Sequence, residues 1–281
     1  MPKIDAHQHF WLFDPVKDSW INDDMLVIKR DFLPADLLPV LKQNGVDGCI
    51  AVQASQTEQE TNFLLDLANK NAFIKGVVGW VDLKADDLEE KLQDYKQNGI
   101  LKGFRHILQS EPDRKYMLQP EFKKGISALQ KHGYTYDILI YPEHLPYAAQ
   151  LAGDFPDQRF VVDHLAKPNI KDQQITDWQK EIQALAKQQN VHCKVSGMLT
   201  EADWKSWKTE DFTPYLDVVF NAFGINRVMF GSDWPVCLLA GGYKQTIEIM
   251  QLYCAQLSQN EQFYPPGHGY VYECLLRSDA F

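Results

Sequence analysis

Two histidines separated by one residue, His7 and His9 in IDAHQHFW, are the first groups along the chain able to do chemistry. On an extended strand, residues i and i+2 share a face. Paired imidazoles suit a divalent metal or a polar floor under a substrate; two hydrogen-bonded histidines in a turn are the structural alternative. Near the far end, Asp233 lies in GSDWP. A carboxylate there can ligate a metal or take a proton from water, or it can cap a turn. His164, in DHLAKP, is a candidate substrate binder, metal ligand or acid, or a histidine satisfied by Asp163. Arg105 and His106, in GFRH, set a permanent cation beside a titratable ring. Such an arginine suits a carboxylate, a hydroxyl array or a developing oxyanion, or an internal salt bridge. Trp11, Trp20, Trp80 and Trp234 offer faces to a ring substrate, or pack. Cys237 reads as packing, because a nucleophilic thiol needs a base partner and a lowered pKa.

What could bring residues 7 and 233 together is decided by the elements between them. Short β-branched runs recur at 2–9, 46–53, 74–83, 100–106, 134–140, 159–165, 191–197 and 227–233. Most are nearly continuous in apolar residues, as expected of parallel strands buried on both faces. An amphipathic helical pattern follows each one. The first runs through Leu37, Leu38 and Leu41 to a stop at Gly45, and the later ones lie near 57–71, 88–99, 122–133, 143–152, 174–189, 213–223 and 243–257. Eight strand–helix repeats with short connections predict an α/β chain folded as one TIM-type (β/α)8 barrel over 1–281. A doubly wound sheet is the rival, but its Gly-rich phosphate turn is replaced by HQHFW. In a barrel, catalytic groups gather at the C-terminal ends of the strands. His7, His9, Gln53, Trp80, Asp82, Arg105, His106, His164, Lys194, Ser196 and Asp233 all fall at or near such ends. Residues 10–33 form an insertion after the first strand, expected to cap the mouth.

Composition narrows the partners. Lys and Arg number 28 against 38 Asp and Glu, a formal charge of −10, which disfavours nucleic acid. Five cysteines with no CxxC pair read as reduced thiols. No secretory h-region follows the N-terminus and no run of 18 apolar residues occurs. The expected setting is the cytoplasm, with no membrane partner; a homo-oligomer is open.

The motifs IDAHQHFW, VQA, GVVGWVDL, KGFRH, DHLAKP, CKVSG and FGSDWPVC, in this order over residues 2 to about 258, resemble the amidohydrolase superfamily (amidohydrolase-2 type). More narrowly they resemble its sugar-lactonase branch, the L-fuconolactonase and L-rhamnonolactonase-like proteins. The resemblance implies the (β/α)8 barrel. It matches His7 and His9 to the first-strand HxH, His164 to the sixth-strand histidine and Asp233 to the eighth-strand aspartate. His7, His9 and Asp233 would then hold one divalent ion, Zn²⁺, if a metal is present; a metal-independent site is the other reading. Gly103, Phe104 and Arg105 on the fourth strand and Tyr136, Asp137 and Ile138 on the fifth stand where a bridging lysine or a further metal histidine would be. That speaks against a binuclear centre. The tail 259–281 departs from the family pattern, since Pro265, Pro266, Gly267 and Gly269 do not belong in a helix interior.

The implied reaction is hydrolysis of a sugar-derived lactone to the aldonic acid by an activated water. In that scheme Asp233 takes the water's proton and Arg105 meets the oxyanion or sugar hydroxyls. His164 or His106 protonates the leaving alkoxide, and Gln53, Trp80, Asp82, Trp11 and Trp234 contact the sugar. Two alternatives remain open at this point: a non-oxidative decarboxylase of a muconate or aromatic acid, and a non-catalytic sugar-acid binding barrel.

Overall fold

The computed structural model describes residues 2–259. Eight parallel strands pair in sequence order: β1 (Ile4–Gln8), β2 (Gly48–Val52), β3 (Ile74–Gly79), β4 (Leu101–His106), β5 (Thr135–Ile138), β6 (Phe160–Val162), β7 (Val191–Val195) and β8 (Val228–Phe230). Helices follow them: α1 (Pro34–Gln43), α2 (Glu58–Lys70), α3 (Leu88–Tyr95), α4 (Pro120–His132), α5 (Leu145–Asp154) and α6 (Thr176–Ala186), then the single turn α7 (Met198–Glu201), α8 (Thr213–Phe223) and α9 (Tyr243–Gln259). This is the (β/α)8 barrel that the alternating pattern predicts. The segment 260–281 lies outside the described residues. Among the described residues, no helix is long and apolar enough to cross a membrane.

Local signals place the helix ends. Pro34 opens α1, where its missing N–H would have had no partner. Thr57 caps α2 by accepting from the Glu60 amide at 3.2 Å. Gly133 closes α4 in the left-handed conformation, at φ 77°.

The sheet alternates as a barrel wall must. Outward residues such as Cys49, Val77, Phe104, Tyr136, Val162, Val195 and Phe230 join the main core beneath the helices. Inward residues fill two small interior clusters, one of Ile4, Ile50, Val52 and Val78, the other of Ala6, Val161 and Met229. Above these the inward positions turn polar: Arg105 on β4, Asp137 on β5 and Lys194 on β7 are all buried.

The two sheet edges meet where chemistry is expected. Gln8 bridges Trp234 in parallel. The Asp233 amide donates to the His7 carbonyl at 2.8 Å, and the His9 amide donates to the Trp234 carbonyl at 2.7 Å. Gly231 permits this approach, because a Cβ there would stand 2.5 Å from the His7 Cβ. The register of β1 against β2 slips by one residue, since Asp5 pairs with Cys49 but Gln8 with Ala51. That bulge lets Ala6 fill the interior cluster while His7, the next residue, also turns inward.

Candidate active site

Three imidazoles converge on one carboxylate at the C-terminal end of the barrel. His9 Nε2 lies 3.3 Å from Asp233 Oδ1, His7 Nε2 3.8 Å and His164 Nε2 3.9 Å. His7 Nε2 and His9 Nε2 are 3.2 Å apart. The Nδ1 atoms are held from behind. His9 Nδ1 donates to the Val52 carbonyl at 2.8 Å, and His164 Nδ1 meets Ser196 Oγ at 2.8 Å. A carbonyl only accepts, so Nδ1 of a neutral His9 carries the proton and its Nε2 lone pair faces the cluster.

The backbone is forced to deliver two of these groups. Asp233 sits at φ 56°, and His164, Leu165, Ala166 and Lys167 run consecutively at φ 54°, 55°, 57° and 50°. Left-handed geometry costs roughly 1–2 kcal/mol for each non-glycine residue, and strain of this kind collects at functional sites. Gly197, at φ 62°, leaves the space for His164, because a Cβ there would lie 2.6 Å from its Nδ1.

A buried charge network holds His7. Arg105 Nη1 lies 3.0 Å from Asp163 Oδ2 and 3.3 Å from His7 Nε2, and Arg105 Nη2 donates to the Gln53 carbonyl. Lys194 Nζ contacts Asp137, Asp163 Oδ1 at 3.1 Å and His7 Nδ1 at 3.4 Å. Two cations thus face two carboxylates with little water present, a grouping that tolerates loss of a member poorly.

Burial sets the protonation states. Desolvation, reinforced by the Lys194 charge, drives the His7 pKa well below its ordinary value against the pull of Asp163. Desolvation also lowers His164, to about 4. Desolvation would raise Asp233, but His164, the His9 hydrogen bond and His7 together hold it below the usual carboxylate range. Asp163 is likewise held low by Lys194, His7 and Arg105 despite its burial. Desolvation lifts Asp137 to about 6 in spite of Lys194. At neutral pH the floor therefore presents an ionised Asp233 and uncharged His7 and His164.

The donor set fits a single divalent ion. Ligand atoms of His7, His164 and Asp233 all lie within 4.8 Å of one another. Tetrahedral zinc, with bonds of about 2.0–2.1 Å, sets its donors about 3.4 Å apart, and the separations above straddle that distance. Electron-rich nitrogens facing a carboxylate need a cation or a shared proton between them, so the fit is chemical as well as geometric.

A cavity of about 460 Å³ opens above this floor. His9, Arg105, His164 and Asp233 line it, together with Trp11, Trp20 and Met25 from the 10–33 insertion. Other expected contacts fall elsewhere. His106 points out of the barrel, since its neighbour Arg105 points in; its Nε2 pairs with Glu111 at 2.7 Å and its ring stacks on Tyr116. Trp80 Nε1 donates to His106 Nδ1 at 3.3 Å. Gln53 is buried beside Arg105, whose carbonyl accepts from it at 3.0 Å. Asp82 is exposed and caps the Lys84 amide at 2.9 Å, and Trp234 packs on Phe10 and Phe32. Gln53, Trp80, Asp82 and Trp234, expected as substrate contacts, do not line this cavity. His106, expected as an acid, does not line it either. His164 does reach the cavity, uncharged at neutral pH; because Ser196 Oγ can donate to or accept from Nδ1, its single ring proton can sit on either nitrogen. Cys237, whose thiol pKa burial and then Asp233 push well up, is a packing residue.

Sequence reasoning passed over Gln109, Tyr141, Lys167, Glu201 and Trp204, which line the cavity, and gave no role to Asp137 or Lys194. The last two carried a usable signal: a lone charge inside an apolar strand, in YTYDILI and VHCKV. Glu201 carried none.

The family profile described as Amidohydrolase matches residues 4–262. The chain is 38% identical over 259 residues to an L-fucono-1,5-lactonase of Burkholderia multivorans, covering 89% of this chain and 87% of that one. An L-rhamnono-gamma-lactonase of Scheffersomyces stipitis is 23% identical over 181 residues, covering 58% and 54%. A solved amidohydrolase from Burkholderia multivorans with bound zinc superposes with a TM-score of 0.89 at 36% identity, covering 99% of this chain and 100% of the other. With its barrel, its HxH at the end of β1 and its Asp233 after β8, this chain belongs to the amidohydrolase family.

Proposed function

We propose that this chain is a lactonase that opens a neutral sugar lactone, of the L-fuconolactone type, to its aldonic acid. The observation that carries the reading is the Asp233 carboxylate at the floor of a cavity, ringed by imidazole nitrogens. The B. multivorans and S. stipitis relatives support the choice of a sugar lactone over the other acyl compounds such a floor could hydrolyse.

The steps follow from which groups can move a proton. Asp233 accepts a proton from a water lying between it and the lactone carbonyl. The water oxygen bonds to the carbonyl carbon, and the ring C–O bond then breaks. Asp233, protonated by the first step, returns that proton to the departing ring oxygen. Arg105 places its guanidinium at the cavity floor near the developing oxyanion, while its hydrogen bonds fix His7. Trp11 and Trp20 exclude water and present faces to the apolar side of a sugar ring. His7, His9, His164 and Asp233 would hold a divalent ion such as Zn²⁺, which when bound polarises a carbonyl or acidifies a water. Among the described residues, the buried thiols of Cys49, Cys193 and Cys237 agree with a reducing cytoplasmic setting.

The test is a pH-indicator screen over L-fucono-, L-rhamnono- and related aldonolactones, with and without chelator, alongside CO₂ detection on aromatic acids. Acid release from a sugar lactone is the expected result. Failure to open any lactone, or release of CO₂ instead, overturns the reading.

A further inference from the structure

The cavity holds a second charged pair that the hydrolytic steps do not use. Lys167 Nζ stands 3.7 Å from Glu201 Oε1, with side chains 18% and 22% exposed, and both residues line the cavity above Asp233. At that distance the charges attract but make no close hydrogen bond. The ammonium keeps its donors and the carboxylate its acceptors for a third group. Lys167 also rests over the Tyr141 ring, 5.6 Å from its centroid.

The left-handed turn 164–167 carries His164 at one end and Lys167 at the other, and the Lys167 amide donates to the His164 carbonyl at 2.7 Å. One strained unit thus delivers both an imidazole to the floor and an ammonium to the wall. Lys167 follows β6 and Glu201 follows β7, on an arc that also bears Gln109, Tyr141 and Trp204, while Trp20 and Met25 come from the insertion after β1. A sugar ring, with hydroxyls on its edge and C–H groups on its face, can use both the polar and the aromatic groups of such a wall.

Charge pairing narrows the ligand further. The lining residues contribute two lysine or arginine cations, and each is answered: Arg105 by Asp163 at 3.0 Å, Lys167 by Glu201. An unanswered cation would draw a carboxylate or phosphate into the site, while an answered one offers donor and acceptor together, as a hydroxyl requires.

Building on the lactonase reading, we infer that Lys167 and Glu201 form the hydroxyl-recognising pair of the substrate cavity, and that Glu201 excludes lactones carrying a carboxylate. The pair determines specificity; it does not move the reacting protons.

The experiment compares wild type with Glu201→Gln and Lys167→Met on two probes. One is a neutral aldonolactone that the wild type opens, and the other is an aldaric-acid lactone, which keeps the ring but bears a free carboxylate. Glu201→Gln should raise KM for the neutral lactone about tenfold, the loss of one charged hydrogen bond, with kcat much less affected. The same variant should gain on the carboxylated lactone, shifting the ratio of the two kcat/KM values by more than tenfold. Lys167→Met should raise KM for the neutral probe without any gain on the carboxylated one. Glu201→Asp, which keeps the charge, should retain the wild-type preference and rescues the test if the amide variant folds poorly. An unshifted ratio in Glu201→Gln, or a fall in kcat with KM unchanged, overturns the inference while leaving the lactonase reading intact. A wild type inert on every lactone overturns both.

Discussion

Replacing Gly197 by alanine separates two effects that the structure places on a single residue. The glycine sits at φ 62°, and a Cβ there would stand 2.6 Å from His164 Nδ1 and 2.8 Å from its Cγ. Ordinary contact begins near 3.4 Å, so the imidazole must retreat by close to an ångström. That movement breaks the 2.8 Å contact between Nδ1 and Ser196 Oγ and turns Nε2 away from Asp233. The backbone term alone is about 1–2 kcal/mol. Gly45 supplies the control, for it has φ 65° and nothing within 4 Å of its missing Cβ. Gly45→Ala should therefore lower Tm by the backbone term only, about 2–4 °C per kcal/mol for a chain of this size, and leave kcat untouched. Gly197→Ala should lose more stability than the control. It should also lower kcat on a sugar lactone by about 10²-fold, the usual effect of a 1 Å misplacement at reacting groups. Differential scanning calorimetry and steady-state kinetics on both variants make the comparison. Equal Tm losses together with equal kcat values would refute the claim that Gly197 exists to clear His164.

Other perturbations test separate parts of the site. Asp233→Asn keeps the shape but removes the base, so kcat should fall by about 10²–10⁴-fold with little change in Tm; near-normal turnover would remove Asp233 from the mechanism. Lys194→Met leaves Asp137 and Asp163 facing each other without their shared cation, and urea titration should show a loss of about 3–5 kcal/mol. His164→Ala should abolish stoichiometric zinc retention in equilibrium dialysis followed by metal analysis, because it removes one of the three donors grouped within 4.8 Å; undiminished zinc would place the ion elsewhere. His106→Gln should leave kcat unchanged, since the ring packs on Tyr116 outside the cavity.

The architecture was legible because its signals are local and repeated. Most strands are apolar runs buried on both faces, and an amphipathic helical pattern follows each one. Tertiary context had nothing to override. The HxH and the final aspartate were legible for a related reason. Sequence-ordered strands close a barrel, so the first must neighbour the last, and residues 7 and 233 meet at that seam. What the sequence could not show was facing. His106 and Arg105 are adjacent letters in GFRH, yet the alternation of β4 sends one to the cavity and the other to the helices. The parity is fixed only once a neighbouring inward residue is known. In β1 even parity is locally broken, because the bulge turns Ala6 and His7 inward in succession.

The remaining gap concerns charge. Read singly, Asp137, Asp163, Lys194 and Arg105 are polar letters in or beside apolar strands, and sequence alone leaves Arg105 open between a substrate contact and an internal salt bridge. Their burial changes the question, because an isolated ion of either sign could not be tolerated there. Each is present because another answers it across the barrel, over separations as long as the 58 residues between Arg105 and Asp163. Such pairings have no period and no local motif. They also shape what the floor can do, since burial and the Lys194 charge favour the neutral form of His7, in which one ring nitrogen carries the proton and the other offers a lone pair. The position of Asp233 at the barrel seam was visible in the sequence, whereas the burial and the imidazole neighbours that hold its carboxyl below the usual range were not.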